Sequence, residues 1–232
     1  MQFDFPITAA QAATMGKPRL EGKPYRVSGG KSIYNETLKN EIPDGWEEIS
    51  LNGICDSVRD TVDPEMVDPL TPYVGLEHVP RRQFFLNSWD VAGSVRSLKS
   101  SFVYGDILFG KLRPYFHKVV RVAMKGICSS ELLVLRARSK KFEGLVGSIV
   151  FSDLFVESTS KQWGGAQMPR ADWKRMEKFR FARPPDELLE SFNALILPLW
   201  TLGGSNQDQN QELTALRDWL LPMLMNGQVT VS

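Results

Sequence analysis

Along residues 185 to 221 side chains return at alternating steps of four and three: Leu188, Phe192, Leu195, Leu199, Leu202, Asn206, Gln209, Leu213, Leu216 and Leu220. Such a repeat is the seam of an amphipathic helix that pairs with another helix, and a buried polar residue at its centre fixes register at a cost in stability. Pro185, Asp186 and Glu187 suit a first helical turn, and Pro222 and Gly227 mark the end. Pro198, Gly203 and Gly204 disturb the composition but not the period, which predicts a bent continuous helix rather than two separate ones. Such a helix extends about 55 Å at 1.5 Å per residue. A domain of this size does not cover that length, so the seam is expected to face another protein surface.

From Pro43 to residue 183 the texture is different. Short apolar runs bounded by Pro and Gly predict strands at Tyr73-Val74-Gly75-Leu76, Ile107-Leu108-Phe109, Phe116 to Val122 and Leu132-Leu133-Val134-Leu135. Turn residues separate them at Gly105-Asp106, Arg113-Pro114 and Lys125-Gly126. Leu145, Ile149, Phe151, Leu154 and Phe155 have helical spacing within Phe142 to Ser160. The first forty residues, punctuated by Gly16, Pro18, Gly22, Pro24 and Ser28-Gly29-Gly30, read as loop. The expected fold is therefore α+β. A loop-rich connecting segment (1–41) precedes a domain built on an irregular mixed sheet (42–183), and a long amphipathic helical region (184–232) follows.

Charge changes this picture more than composition does. The chain of 232 residues carries a net charge of only +1, yet residues 81–183 hold 20 Lys and Arg against 8 Asp and Glu. The flanks compensate: residues 1–80 carry 7 basic against 13 acidic side chains, and residues 184–232 carry 1 against 6. A basic globular block is the footprint of a protein that lies on a phosphate backbone, where released counterions supply non-specific affinity. An acidic helical flank suits a protein partner better than DNA. The 42% apolar content excludes a largely disordered chain. No apolar run is long enough to span a bilayer, and residues 1–20 have no secretory pattern. With only Cys55 and Cys128, neither a disulfide framework nor a four-cysteine zinc site can be built. A reducing cytoplasm is the simplest location.

Little in the chain points to catalysis. His78 and His117 are the only histidines and have no nucleophile motif beside them. Ser28-Gly29-Gly30-Lys31 lacks the strand and helix that a phosphate loop needs. No catalytic residue, metal ligand or cofactor is assigned, although a small hydrolase built around His117 or Cys128 stays as one alternative. In the basic block, Lys99, Lys111, Arg113, Lys118, Arg121 and Lys125 are candidates for phosphate contact. Base reading needs paired donors and acceptors, which makes Arg81, Arg82, Gln83, Gln162, Gln167 and Arg170 the candidates for the major groove. The neighbouring aromatics Phe84, Phe85, Phe102, Tyr104, Tyr115 and Phe116 are expected mainly in the core.

Several strings of this block resemble the target recognition domain of the DNA specificity subunit of type I restriction-modification systems. They are Ile42-Pro43-Asp44-Gly45-Trp46, Tyr73-Val74-Gly75-Leu76-Glu77-His78, GDILFGKLRPYFHKVV from Gly105 to Val120, and GICSSELLVLR from Gly126 to Arg136. Gly165-Ala166-Gln167-Met168-Pro169-Arg170 with Asp172-Trp173, and the exit at Pro184-Pro185, continue the match. Leu213, Leu216-Arg217-Asp218 and Leu220-Leu221-Pro222 look like the family's helical region. The resemblance implies a non-catalytic subunit that reads one half of a bipartite site in double-stranded DNA. It also implies a methyltransferase subunit, carrying S-adenosylmethionine, docked on the helix, with a restriction subunit joining the complex. Full-length members carry two recognition domains and two helical spacers, where this sequence has one of each. A half-length form pairing with itself through the C-terminal helix and a C-terminal fragment are both compatible with that. Set against the resemblance stands a coiled-coil adaptor whose basic domain does not read DNA.

Overall fold

The computed structural model describes residues 5–26, 29–160 and 169–228. Near its start, Thr8 and Gln11 form a capping box in which each side chain bonds the other residue's backbone N–H. That box starts helix α1 (Ala9–Thr14), where the sequence pattern predicted loop. Alanines favour helix once the exposed N–H groups are satisfied, and here the cap outweighs the glycines and prolines that follow. Ile7, Ala12 and Tyr25 form a small core of their own. A hairpin of β1 (Ser32–Asn35) and β2 (Asn40–Pro43) leads into the strand-rich block.

That block runs β3 (Glu47–Ser50), β4 (Cys55–Val58), β5 (Thr61–Val62), β6 (Pro72–Val74), β7 (Asp90–Val91) and β8 (Lys99–Phe102). It continues through β9 (Ile107–Gly110), β10 (Val119–Arg121), β11 (Gly126–Cys128) and β12 (Leu132–Ala137). Helices α2 (Glu143–Val150), α3 (Asp153–Ser160) and α4 (Trp173–Met176) follow, then β13 (Arg180–Arg183) and α5 (Asp186–Met225).

The strands form a four-stranded antiparallel sheet, β10-β9-β12-β4, and a five-stranded mixed sheet, β5-β8-β11-β6-β7, in which β11 and β6 are parallel. A two-stranded ribbon pairs β13 with β3. The four-stranded sheet is the middle layer. Ile107, Phe109, Leu133 and Leu135 face α2 and α3 and pack with Val146, Val150 and Phe155. Leu108, Leu132 and Val134 face the opposite way and pack with Val74, Phe102 and Cys128 of the other sheet. Neighbouring residues of a strand point to opposite faces, so burial on both faces explains the unbroken apolar runs of β9 and β12. The α+β class expected from the sequence is the class observed.

Three boundaries differ from the sequence reading. Strand β6 ends at Val74 rather than Leu76. The strand expected from Phe116 starts only at Val119, because Pro114–Phe116 form a 3-10 turn and His117 is left-handed. The helix expected from Phe142 to Ser160 is two helices, broken at Phe151 and Ser152. By contrast, α5 is one helix of 40 residues through Pro198, Gly203 and Gly204.

Candidate nucleic-acid interface

Between β9 and β10 the chain turns through residues 111–118. Arg113 (φ 49°) and His117 (φ 53°), on either side of the 3-10 turn, are both left-handed. Neither is glycine, and such a backbone costs about 1–2 kcal/mol per residue, so neighbours must hold it. The buried His117 ring has Nε2 2.9 Å from the Phe151 carbonyl and Nδ1 3.2 Å from Asp153. The Arg113 N–H donates to the Pro169 carbonyl at 2.9 Å. Arg82, itself left-handed at φ 56°, donates its N–H to the His117 carbonyl at 3.0 Å. The result is a rigid knuckle.

This knuckle gathers expected site residues from three distant stretches. On one side, the Arg81 guanidinium lies 3.8 Å from the centre of the Phe116 ring, and Arg82 pairs with Asp153 at 2.8 Å. On the other, an isolated bridge between Leu112 and Arg170 brings Arg170 beside Lys111, and Arg170 pairs with Glu131 at 3.3 Å. Lys111 donates to the Ser130 carbonyl, and Lys118 donates to the Leu76 carbonyl at 2.6 Å. An ammonium has three donors, so each lysine keeps donors for an outside acceptor. Burial pushes both amines below the ordinary lysine value, opposed in Lys111 by Glu131 and reinforced in Lys118 by Arg81. Tyr115 stands half-exposed at the tip, with its ring 4.8 Å from Phe116. Gln83 is exposed next to Arg82 and accepts a bond from Asn87 at 2.9 Å.

Two expected phosphate contacts are corrected. Lys99 is 7% exposed and Arg121 is 4% exposed, so neither reaches a duplex. Lys99 is tied to the Ser97 carbonyl and hydroxyl at 2.7 and 2.6 Å. Arg121 lies between the rings of Tyr104 and Trp200, 5.1 and 5.7 Å from their centres. Charge counting registers a cation but not its burial under a helix. Lys125 is exposed and follows Ala123 and Met124, which line a cleft against α5. Gln162 and Gln167 lie outside the described residues. Of the aromatics, Phe102 is core, Phe84, Phe85 and Phe116 are half-buried, and Tyr104 and Tyr115 are exposed.

Helix α5 carries two stripes. Leu188 begins the predicted seam and is buried, but beyond it Phe192, Leu195, Leu199, Leu202, Asn206, Gln209, Leu213 and Leu216 are exposed, with Leu220 intermediate. Leu195 is 71% exposed and Leu213 is 63% exposed among the described residues. One position further on runs a stripe that sequence reading missed: Leu189, Asn193, Ile196, Trp200, Gly203, Gly204, Gln207 and Gln211. These residues face the domain. The seam past Leu188 is largely exposed, as its length implies, while this second stripe packs α5 on its own domain as far as Gln211. The missed signal was Trp200 and the two glycines, also spaced by four and three.

The histidines do not suit hydrolysis. His117 faces a carbonyl and a carboxylate, and His78 accepts the Gly75 N–H at 2.9 Å. Both cysteines are fully buried, and burial pushes their thiols up to about 12. Among the described residues, no group of three His, Cys, Asp or Glu side chains is placed to hold a metal ion. No helix among them is long and apolar enough to cross a membrane.

No protein-family profile matches the chain, and no curated protein matches it either. Solved structures do. One is a chain from a structure addressing complex assembly and conformational transition of the type I R-M system, with TM-score 0.56 and 21% identity over 82% of this chain and 50% of that one. Another is the HsdS subunit from Thermoanaerobacter tengcongensis, with TM-score 0.57 and 20% identity over 78% of this chain and 47% of that one. At these identities the likeness establishes a shared fold. The chain spans about half the length of the solved chains it matches.

Proposed function

We propose that this chain is a DNA-recognition part of a type I restriction-modification specificity subunit. The knuckle at residues 111–118, which carries Lys118 and is flanked by Arg81, Arg82 and Arg170, enters the major groove of one half-site. The observation that carries this reading is the convergence of those separated cations on one rigid turn, within a fold shared with an HsdS subunit. Rigid placement matters because base discrimination depends on donors held at fixed positions, whereas phosphate contact tolerates movement.

The chain itself performs no chemistry in this reading and binds no cofactor. A methyltransferase subunit supplies S-adenosylmethionine and base modification, and docks on the acidic α5. A restriction subunit joins that complex, and the assembly works in the cytoplasm. The exposed seam of α5 pairs with a second helix, either of another copy or of a second half of a longer subunit, and holds two recognition domains on a split target. Two-fold pairing would make the outer parts of that target palindromic.

The test has two arms. Selection from random duplexes at graded salt should yield one sequence whose binding survives salt that removes the rest. Co-purification with the cognate methyltransferase subunit should then direct adenine methylation to that sequence. Binding indifferent to DNA, with the methyltransferase subunit still retained, would leave the coiled-coil adaptor as the better reading.

A further inference from the structure

Glycine in a helix interior costs about 1 kcal/mol relative to alanine, and α5 carries two in succession at Gly203 and Gly204 without breaking. Their neighbours explain why they are there. A methyl group on Gly203 would overlap the Phe85 ring, and one on Gly204 would meet the Ala123 methyl at 3.0 Å. One turn earlier the relation is reversed: the Trp200 indole of α5 covers Gly147 of α2 so closely that no Cβ fits there. Trp200 also packs against Phe84 at 4.8 Å. Around these contacts, Asn193 accepts the Gly144 N–H at 3.1 Å and donates to the Lys141 carbonyl at 2.8 Å. Gln207 bonds the Asn87 side chain, and Gln211 bonds its carbonyl at 2.7 Å. The buried Arg121 fills the space between Tyr104 and Trp200. The recognition domain is thus locked along one stripe of α5, while the adjacent seam from Leu195 onward is largely exposed among the described residues.

We propose that the Phe85–Gly203 contact sets the angle at which α5 carries the recognition domain, and through that angle the number of base pairs between the two half-sites. Gly203 and Phe85 are positioning residues for target spacing. The inference rests on the reading that a helix separates two DNA-reading domains. Leverage makes a small change visible. With the Phe85 ring held in place against Phe84, 5.7 Å away, restoring ordinary contact with an added methyl takes a shift of about 1 Å in the helix. Pivoted at the buried Leu189, roughly 21 Å away, that shift becomes about 2.5 Å at Met225, roughly 54 Å from the pivot. One base pair rises about 3.4 Å. A single methyl group at the joint therefore moves the far end of α5 by about three-quarters of that rise.

The experiment uses the full chain with its methyltransferase subunit and duplexes carrying two selected half-sites, with the gap varied one base pair at a time. Gly203→Ala should lower the preference for the original gap by about tenfold while binding to a single half-site stays unchanged. Phe85→Ala, which removes the stop without touching the helix, should broaden the accepted gaps. Combining the two should recover part of the original preference, because the new methyl then has room. An unchanged gap preference in both single variants would overturn the proposal while leaving DNA recognition intact. A protein that binds its half-site but ignores the gap even without substitution would overturn it together with the bipartite reading. If Gly203→Ala does not fold, the Phe85→Ala arm decides alone.

Discussion

The Arg81 guanidinium stacks on the Phe116 ring at 3.8 Å, and Phe116 belongs to a turn whose two ends are both left-handed. An exposed arginine is ordinarily a mobile charge. Here a ring held between Arg113 and His117 fixes the plane of the guanidinium, which suits paired donation to a base edge more than contact with a phosphate.

Replacing Arg81 with Ala should therefore weaken binding to the selected duplex by about 1–3 kcal/mol, with little change on a scrambled one. Phe116→Leu, which keeps the charge but frees it, should lose part of the same discrimination. Titration of both duplexes at fixed salt measures the two effects. An equal loss on both duplexes would assign Arg81 to the backbone instead.

Asp106 and Arg136 hold the turn before β9 to β12. Arg136 donates to both carboxylate oxygens at 2.7 Å, and one of those oxygens also accepts the Val103 N–H at 2.8 Å. The Asp106 side chain is 1% exposed and that of Arg136 is 36% exposed, so only one partner is lost to solvent. Asp106→Asn replaces one of the two buried accepting oxygens with an amide N–H donor that meets a donor of Arg136 or Val103. It should lower stability by about 2–3 kcal/mol after allowing for screening at Arg136. A thermal melt should fall by roughly 5–10 °C.

What could be read from the sequence follows from which property each residue expresses locally. Strand β9 and the Leu132–Leu135 part of β12 were visible because burial on both faces leaves no polar residue to interrupt them. The seam of α5 was visible because helical period survives any one substitution. Gly203 and Gly204 were read as disturbances, since their purpose is an approach by Phe85 and Ala123, residues about 120 and 80 positions away in sequence. Lys99 and Arg121 carry the same charge as Lys111 and Arg113, and only tertiary packing separates the buried pair from the accessible one. The capping box at Thr8 and Gln11 was available in the sequence, and the surrounding glycines and prolines obscured it.

Cys55 and Cys128 make stability fall at high pH. Burial raises both thiols from 9.0 to about 12. Between those values the unfolded chain releases two protons that the folded chain keeps, so raising the pH favours unfolding. The stabilisation is complete below about pH 9 and declines by about 1.4 kcal/mol per pH unit for each thiol as pH rises toward 12. Denaturant unfolding at about pH 8 and about pH 10 should reveal the decline, and it should be shallower in a Cys55→Ala, Cys128→Ala variant. An equal slope in the two proteins would place the thiols in contact with solvent.

The two stripes of α5 separate stability from assembly. Leu199 and Leu216 belong to the seam and are both exposed, whereas Trp200 lies one position along and covers Gly147. Introducing Glu at 199 and 216 changes two exposed positions and should leave the melting temperature within about 1 °C, as for other exposed substitutions. The same two charges would meet an apolar partner helix at its core and should abolish pairing. Trp200→Ala opens a gap against Gly147 and Phe84 and should do the reverse, lowering the melting temperature while the seam still pairs. Light scattering and a circular-dichroism melt on both variants distinguish the stripes. If the Leu199→Glu, Leu216→Glu protein keeps the mass of the unaltered assembly, the seam is not what joins the recognition domains, and α5 serves its own domain alone.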